Sequence, residues 1–273
     1  MSTLSGRTAL VTGASRGIGL AIAQRLAEEG ANVVIIAKDI LDADGKSTLD
    51  GIVESIKANG GNALAVSTDI RNDDEIAAAI KQTVSAFGGI DICVNNASAI
   101  AMTSAVETTT ERYDLMYMVN ARSSFLCAKH AFEFMQDSTN PHVLNISPPL
   151  NLDSRWLAPH PAYTGSQYLK SMYTLGLSED WKPYGIAVNS LWPRSMISTE
   201  ENLDLSGNVS NKAKYARKPS IMADAAALIF TMSSNKYTGE YFIDEEVLAA
   251  HGVENFSKYA IDPSSELVDE QFV

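Results

Sequence analysis

Thr12-Gly13-Ala14-Ser15-Arg16-Gly17-Ile18-Gly19 decides the fold, because it follows an apolar run, Ala9-Leu10-Val11, and opens a helical pattern, Leu20-Ala21-Ile22-Ala23-Gln24-Arg25-Leu26. A strand that ends in a glycine-rich turn and feeds a helix gathers unpaired backbone N–H groups and the positive end of a helix dipole at one point. A pyrophosphate fits such a point. Glycines alone would be weak evidence, since any tight turn uses them. Here the strand precedes, the helix follows, and a second strand, Asn32-Val33-Val34-Ile35-Ile36-Ala37, arrives after Gly30 to complete a βαβ unit of the expected length.

Outward from that unit the alternation continues. The pattern predicts strands at 8–12, 32–37, 62–67 and 90–95, with helices at 17–29, near 46–58 and at 73–87. A helix over Thr108–Gln136, a strand at 142–146, a helix over Pro161–Trp181 and a strand at 186–191 follow, then a helix at 223–232 and a last strand at 240–244. Apolar strands alternating with helices imply a doubly wound, mostly parallel α/β sheet with helices on both faces, and ligands at the carboxyl ends of its strands. One Rossmann-type domain over 1–273 is expected, because no repeat or linker interrupts the rhythm. The polar stretch 193–218 is too long for a passive connection and is expected to form a lid. The tail, 245–273, carries Phe256, Tyr259 and Ile261 and is expected to pack.

Of the 273 residues 45% are hydrophobic and 20% charged, as in a globular protein, and no apolar run approaches the roughly 20 residues of a membrane span. The first residues have neither a basic nor an apolar leader segment, so a cytoplasmic location is expected. A net charge of −12 disfavours nucleic acid or an anionic membrane as partner. Cys93 and Cys127 each lie in an apolar stretch and read as small buried side chains, and no His/Cys/carboxylate cluster has the spacing of a metal site.

TGASRGIG at 12–19, Asp69-Ile70 after the third strand, Asn95-Asn96-Ala97-Ser98 after the fourth, Asn120 in a long helix and Tyr163 in the helix after the fifth strand together resemble the short-chain dehydrogenase/reductase family, over roughly residues 5 to 245. More narrowly, AKD at 37–39, NNASAI at 95–100, NISPPLNL at 145–152, AYT at 162–164 and LWP at 191–193 are similar to its hydroxysteroid dehydrogenase-like group, type two. Larger members of that group carry an appended sterol-carrier domain and a peroxisomal C-terminus, and neither is expected here.

The resemblance implies hydride transfer between a nicotinamide cofactor and a carbonyl or alcohol. Gly13, Ser15, Arg16, Gly17, Ile18 and Gly19 would cradle the pyrophosphate, Asp69 would accept from the adenine amino group, and Asn96 and Ala97 would line the adenosine ribose. Pro193, Ile197 and Thr199 would contact the nicotinamide end. Each also has a plainer reading: Asp69 as a helix N-cap, Asn95 and Asn96 as turn residues. At the end of the second strand Ala37 stands where an acid would bind the ribose of NAD. Lys38 follows it and Arg16 lies in the turn below, so NADP is the expected cofactor, with Asp39 as the dissenting charge and a solvated loop as the alternative for Lys38.

In the resemblance Tyr163 is the acid/base, a Ser holds the substrate oxygen, Asn120 supports a water relay, and a Lys four residues after the Tyr binds ribose and lowers the phenol pKa. Gln167 stands at that last place. Gln can hydrogen-bond but brings no charge, which raises a second reading of the chain as a weak or inactive NADP-binding or scaffolding protein. Lys170 returns to nearly the same helix face one turn on and either supplies the missing charge or is a solvated residue. Ser147 lies one place early for the catalytic Ser, and Ser154 is the other candidate. Trp156, Trp192 and Met196 point to an apolar substrate, and the two long helices to a homo-oligomer, dimer or tetramer.

Overall fold

The protein is described by a computed structural model that covers residues 3–38, 47–199 and 213–273. Asp39 and residues 200–212 of the expected lid lie outside the described residues.

Among the described residues seven strands form one parallel sheet in the order β3-β2-β1-β4-β5-β6-β7. They are β1 (Thr8–Thr12), β2 (Asn32–Ala37), β3 (Asn62–Ser67), β4 (Ile92–Asn95), β5 (His142–Ile146), β6 (Ala187–Trp192) and β7 (Tyr241–Ile243). The connecting helices are α1 (Gly17–Glu28), α2 (Thr48–Ala58), α3 (Asp73–Phe87), α4 (Thr110–Met116), α5 (Ser123–Met135), α6 (Ser154–Leu157), α7 (Pro161–Asp180), α8 (Ser220–Ile229) and α9 (Asp244–Ala250).

Every residue of β1, β4, β5 and β6 is buried, the signature of strands covered on both faces. Alternation sorts the side chains: Ala9, Val11, Val33 and Ile35 enter the core layer shared with α1 and α8, while Leu10, Val34 and Ile36 enter the layer shared with α3 and α5. Strand order reverses between β1 and β4, so the chain leaves the sheet in opposite directions there and opens a crevice beyond the strand ends.

The expected helix 108–136 is present as α4 and α5 joined by a π-helical turn, Tyr117–Arg122. Such a turn frees carbonyls from the α ladder, and hydroxyls take them: Ser123 Oγ donates to the Val119 carbonyl at 2.5 Å and Ser124 Oγ to that of Asn120 at 2.7 Å. Periodicity could not show this, because one extra residue leaves the apolar pattern almost unchanged. The tail packs, as expected, with Tyr259 in the core and Phe256 against it. Ile261 is exposed, Tyr259 is buried, and the anchor is Phe272, set among Trp156, Tyr168 and Trp192 with ring centroids 5.8, 5.4 and 6.0 Å away.

Candidate active site

The crevice at the β1/β4 reversal is a cleft of about 410 Å³, with both Gly13 and Glu270 in its lining. Its floor is the glycine turn. Gly13 has φ +66°, and a Cβ there would stand 2.8 Å from the Ala97 Cα, so β1 and β4 exits touch only because the side chain is a hydrogen. Asn96 stitches the two exits together: its Nδ2 donates to the carbonyls of Thr12 at 2.9 Å and Gly13 at 3.2 Å. The Asn96 and Ala97 backbone N–H groups both donate to Thr12 Oγ1. Asn96 thus braces the cradle with its side chain, and both Asn96 and Ala97 line the cleft.

α1 begins at this floor without a side-chain cap or an acid in its first turn, whereas Ser47 closes α2 and Asn72 closes α3. An uncapped N-terminus under a glycine turn that no Cβ could share fits the pyrophosphate of a dinucleotide. At the outer end Lys38 Nζ lies 2.8 Å from Asp69 Oδ2, and Arg71 Nε holds both Asp69 oxygens at 2.9 and 3.0 Å. These bonds, led by that from Arg71, hold the Asp69 carboxyl well below the usual carboxylate range. The N-cap reading of Asp69 does not hold, because Asn72 caps α3. Two cations, Lys38 and Arg71, thus hold one carboxylate, and Arg16 lines the same cleft. Arg71, two residues beyond Asp69, was missed by the sequence reading, because a lone Arg in a loop carries no pattern.

At the inner end α7 presents Tyr163, buried to 4% exposure, and Gln167 to the cleft. Gln167 Nε2 donates to Ser98 Oγ at 3.1 Å and toward the Tyr163 hydroxyl at 3.4 Å. Ser98 is the hydroxyl that the structure brings to this corner. Ser147 is not: its Oγ bonds Ser190 Oγ at 2.9 Å, which bonds Thr174 Oγ1 at 2.7 Å, within a buried polar ladder that continues to Asn145 and Asn95. The strand alternation explains this, for Ile146 faces the cleft and the next residue turns into the protein. Ser154 opens α6 on the surface, outside the cleft lining.

Asn120 lies in the π turn, fully buried, and its side chain is spent: Nδ2 donates to the Ala99 carbonyl and to Ser166 Oγ, both at 2.9 Å, and Oδ1 accepts from Ala99 N–H at 2.6 Å. It fixes the 98–100 loop against α7 rather than lining the cleft. Lys170 corrects the solvated reading, for it has no exposed surface. It sits on the inward stripe of α7 with Tyr163, Gln167 and Thr174, and burial pushes its amine down to about 7.

Apolar walls come from Ile100, Met102, Leu115, Val119, Ile146 and Trp192, with Pro193, Ile197 and Thr199 beside them. Of the three apolar residues expected, Trp192 lines the cleft and Trp156 and Met196 do not. Glu270 is the unforeseen acid. The tail reaches the cleft because Met196 N–H donates to the Val268 carbonyl, Glu270 N–H to that of Arg194 and Trp192 Nε1–H to that of Gln271. Burial raises the Glu270 carboxyl above its ordinary value. Cys93 and Cys127 are free, buried thiols. Among the described residues no helix is long and apolar enough to cross a membrane.

Comparison with known proteins agrees with this geometry. Residues 7–206 match the model of the short chain dehydrogenase family. The hydroxysteroid dehydrogenase-like protein 2 of Bos taurus is 45% identical over 99% of this chain, which spans 64% of that relative's length. The crystal structure of a short chain dehydrogenase from Mycobacterium thermoresistibile superposes with a TM-score of 0.92 at 40% identity, covering 99% of this chain and 96% of that one. A short chain dehydrogenase from Burkholderia cenocepacia, solved in complex with NADP, gives a TM-score of 0.76 at 27% identity, covering 88% and 97%.

Proposed function

This chain belongs to the short-chain dehydrogenase family, and from that premise we propose that it is an NADP(H)-dependent oxidoreductase that interconverts a carbonyl and an alcohol on an apolar substrate. The observation that carries the reading is the cleft itself. An uncapped helix N-terminus over a glycine turn, a cluster of Arg16, Lys38 and Arg71 at the outer end and a phenol at the inner end share one cavity. When bound, the cofactor supplies or accepts the hydride. The glycine turn and the first turn of α1 would hold its pyrophosphate, and Lys38, Arg71 and Arg16 would take the 2′-phosphate, which the carboxylate of an acid at position 37 would repel.

Tyr163 gives its proton to the substrate oxygen in reduction and takes it back in oxidation. Gln167 Nε2, aimed at that hydroxyl, stabilises the negative charge that develops there by a hydrogen bond and without a formal charge. Ser98 steadies the amide. Asn120 positions the loop that carries Ser98. The surrounding apolar residues suit a substrate with little polarity beyond its reacting oxygen.

We place the protein in the cytoplasm as a homo-oligomer, dimer or tetramer. Tyr113 and Phe125 on α4 and α5 and Met172 and Leu175 on α7 keep apolar surface exposed along neighbouring helices, which suits a second copy.

The test is NADPH-dependent turnover over a panel of aldehydes and ketones of increasing apolar size, with Tyr163→Phe as control. Turnover that the variant abolishes while still binding nucleotide supports the reading. A protein that binds NADPH and turns over nothing is the scaffold that Gln167 brought into question.

A further inference from the structure

We propose that Lys170 is a positioning residue for the Tyr163 hydroxyl: its Nζ holds Gln167 Oε1 across one water, and thereby fixes which end of the Gln167 amide faces the tyrosine. Two buried polar atoms carry the argument. Among the described residues, neither Gln167 Oε1 nor Lys170 Nζ has a hydrogen-bond partner. One is a pure acceptor and the other a donor, and both are fully enclosed, Gln167 at 2% and Lys170 at 0% exposure. They stand three residues apart on α7, the spacing at which helical side chains meet. Leaving both unsatisfied is expensive, and each is the partner that the other lacks.

The orientation matters because a primary amide has two unlike ends. With Oε1 held by Lys170, Nε2 is delivered to Ser98 Oγ and to the Tyr163 hydroxyl, as observed. Turned over, the amide would present an acceptor to the phenol, hold its proton and offer nothing to a developing tyrosinate. Ser98, a hydroxyl, can donate as well as accept and so does not choose between the two poses. An amine whose N–H groups reach Oε1 through that water does.

Burial brings the Lys170 amine to about 7, and both its protonated and neutral forms carry N–H groups, so the pose survives the titration. The ionisable group facing it is the Cys127 thiol of α5, itself raised to about 12 by burial and therefore uncharged near neutrality. No counter-ion from that helix competes for the amine.

The proposal rests on Tyr163 as the acid/base, and two readouts separate its failure from the failure of that reading. The first is spectroscopic: with glutamine side chains labelled in nitrogen-15 and the Gln167 pair assigned by Gln167→Ala, Tyr163→Phe is expected to shift the Gln167 amide resonances in the parent but not in Lys170→Met, where the amide no longer points its N–H groups at the ring. The second is kinetic. Lys170→Met is expected to lower kcat roughly tenfold or more with nucleotide affinity unchanged, and to add nothing in a Gln167→Ala background. Should Met not be tolerated, Lys170→Leu serves in both. If the parent shows no turnover, the reading of Tyr163 fails and the amide signal alone decides the pose. A Gln167 resonance that still responds to Tyr163→Phe without Lys170, or a kinetic loss that persists in the Gln167→Ala background, overturns the proposal.

Discussion

Replacing Lys38 by Ala tests the cofactor assignment where it is most exposed to failure. Lys38 Nζ lies 2.8 Å from Asp69 Oδ2, and its side chain is 58% exposed. A charge-assisted hydrogen bond contributes about 1.5–3 kcal/mol when sheltered. Solvent screening at this exposure argues for the low end, and the surface pair with Asp69 that must be shared offsets at most about 1 kcal/mol of it. Arg16 and Arg71 still line the cleft in the variant, so the loss is partial. Lys38→Ala is therefore expected to weaken NADPH by roughly 2- to 10-fold, the equivalent of about 0.5–1.4 kcal/mol, and to leave NADH unchanged, since NADH has no 2′-phosphate to lose. Fluorescence titration of both nucleotides reads this directly. Raising salt from 0.1 to 1 M shortens the screening length from about 10 to about 3 Å and should narrow the gap between the two nucleotides. Equal affinities in the parent, or equal losses of both nucleotides in the variant, would refute the argument.

Gly13→Ala is expected to weaken nucleotide binding and destabilise the fold together, by at least ~1–2 kcal/mol from the positive φ alone, before the 2.8 Å approach to Ala97 is relieved, and thermal melts with and without NADPH measure both. Phe272→Ala empties a buried aromatic cluster and should cost about 3 kcal/mol in a urea titration, while a cost below ~1 kcal/mol would mean that the tail does not anchor there. Asp244 is buried, its carboxyl is raised to about 6 by that burial, and it accepts N–H bonds from Arg194 and Glu245. Because the folded state holds this proton more tightly than the unfolded chain, the native state loses stability as pH rises from about 4 to about 6. Asp244→Asn should flatten that part of the profile and melt at least as high as the parent above pH 6, and an unchanged slope would contradict the assignment.

The glycine turn and strand rhythm were legible because each is a local pattern with one structural meaning. Strands β1, β2, β3 and β5 fall where alternation places them, and α9 was missed because Asp244–Ala250 is short and follows its strand without a loop. The site was legible in its ends and illegible in its interior. Tyr163, Gln167 and Lys38 reach the cleft as the pattern implied. Ser147 and Lys170 differed because a one-residue step on a strand or one turn of helix moves a side chain between cleft and core, and sequence fixes neither phase. Arg71 and Glu270 could not be found beforehand, since they arrive through a loop and the chain end, whereas Ser98 stands in the motif after the fourth strand but was given no role there.

The central claim is that Tyr163 and a nucleotide in this cleft move a hydride and a proton onto a carbonyl. Incubating the protein with NADPH deuterated at the transferring carbon, together with a carbonyl substrate from the turnover panel, tests this by mass spectrometry of the product alcohol. Deuterium on the carbinol carbon with the parent, and no labelled alcohol with Tyr163→Phe under conditions where it still binds NADPH, is the predicted result. An absence of label with the parent, or equal labelling by the variant, would contradict it.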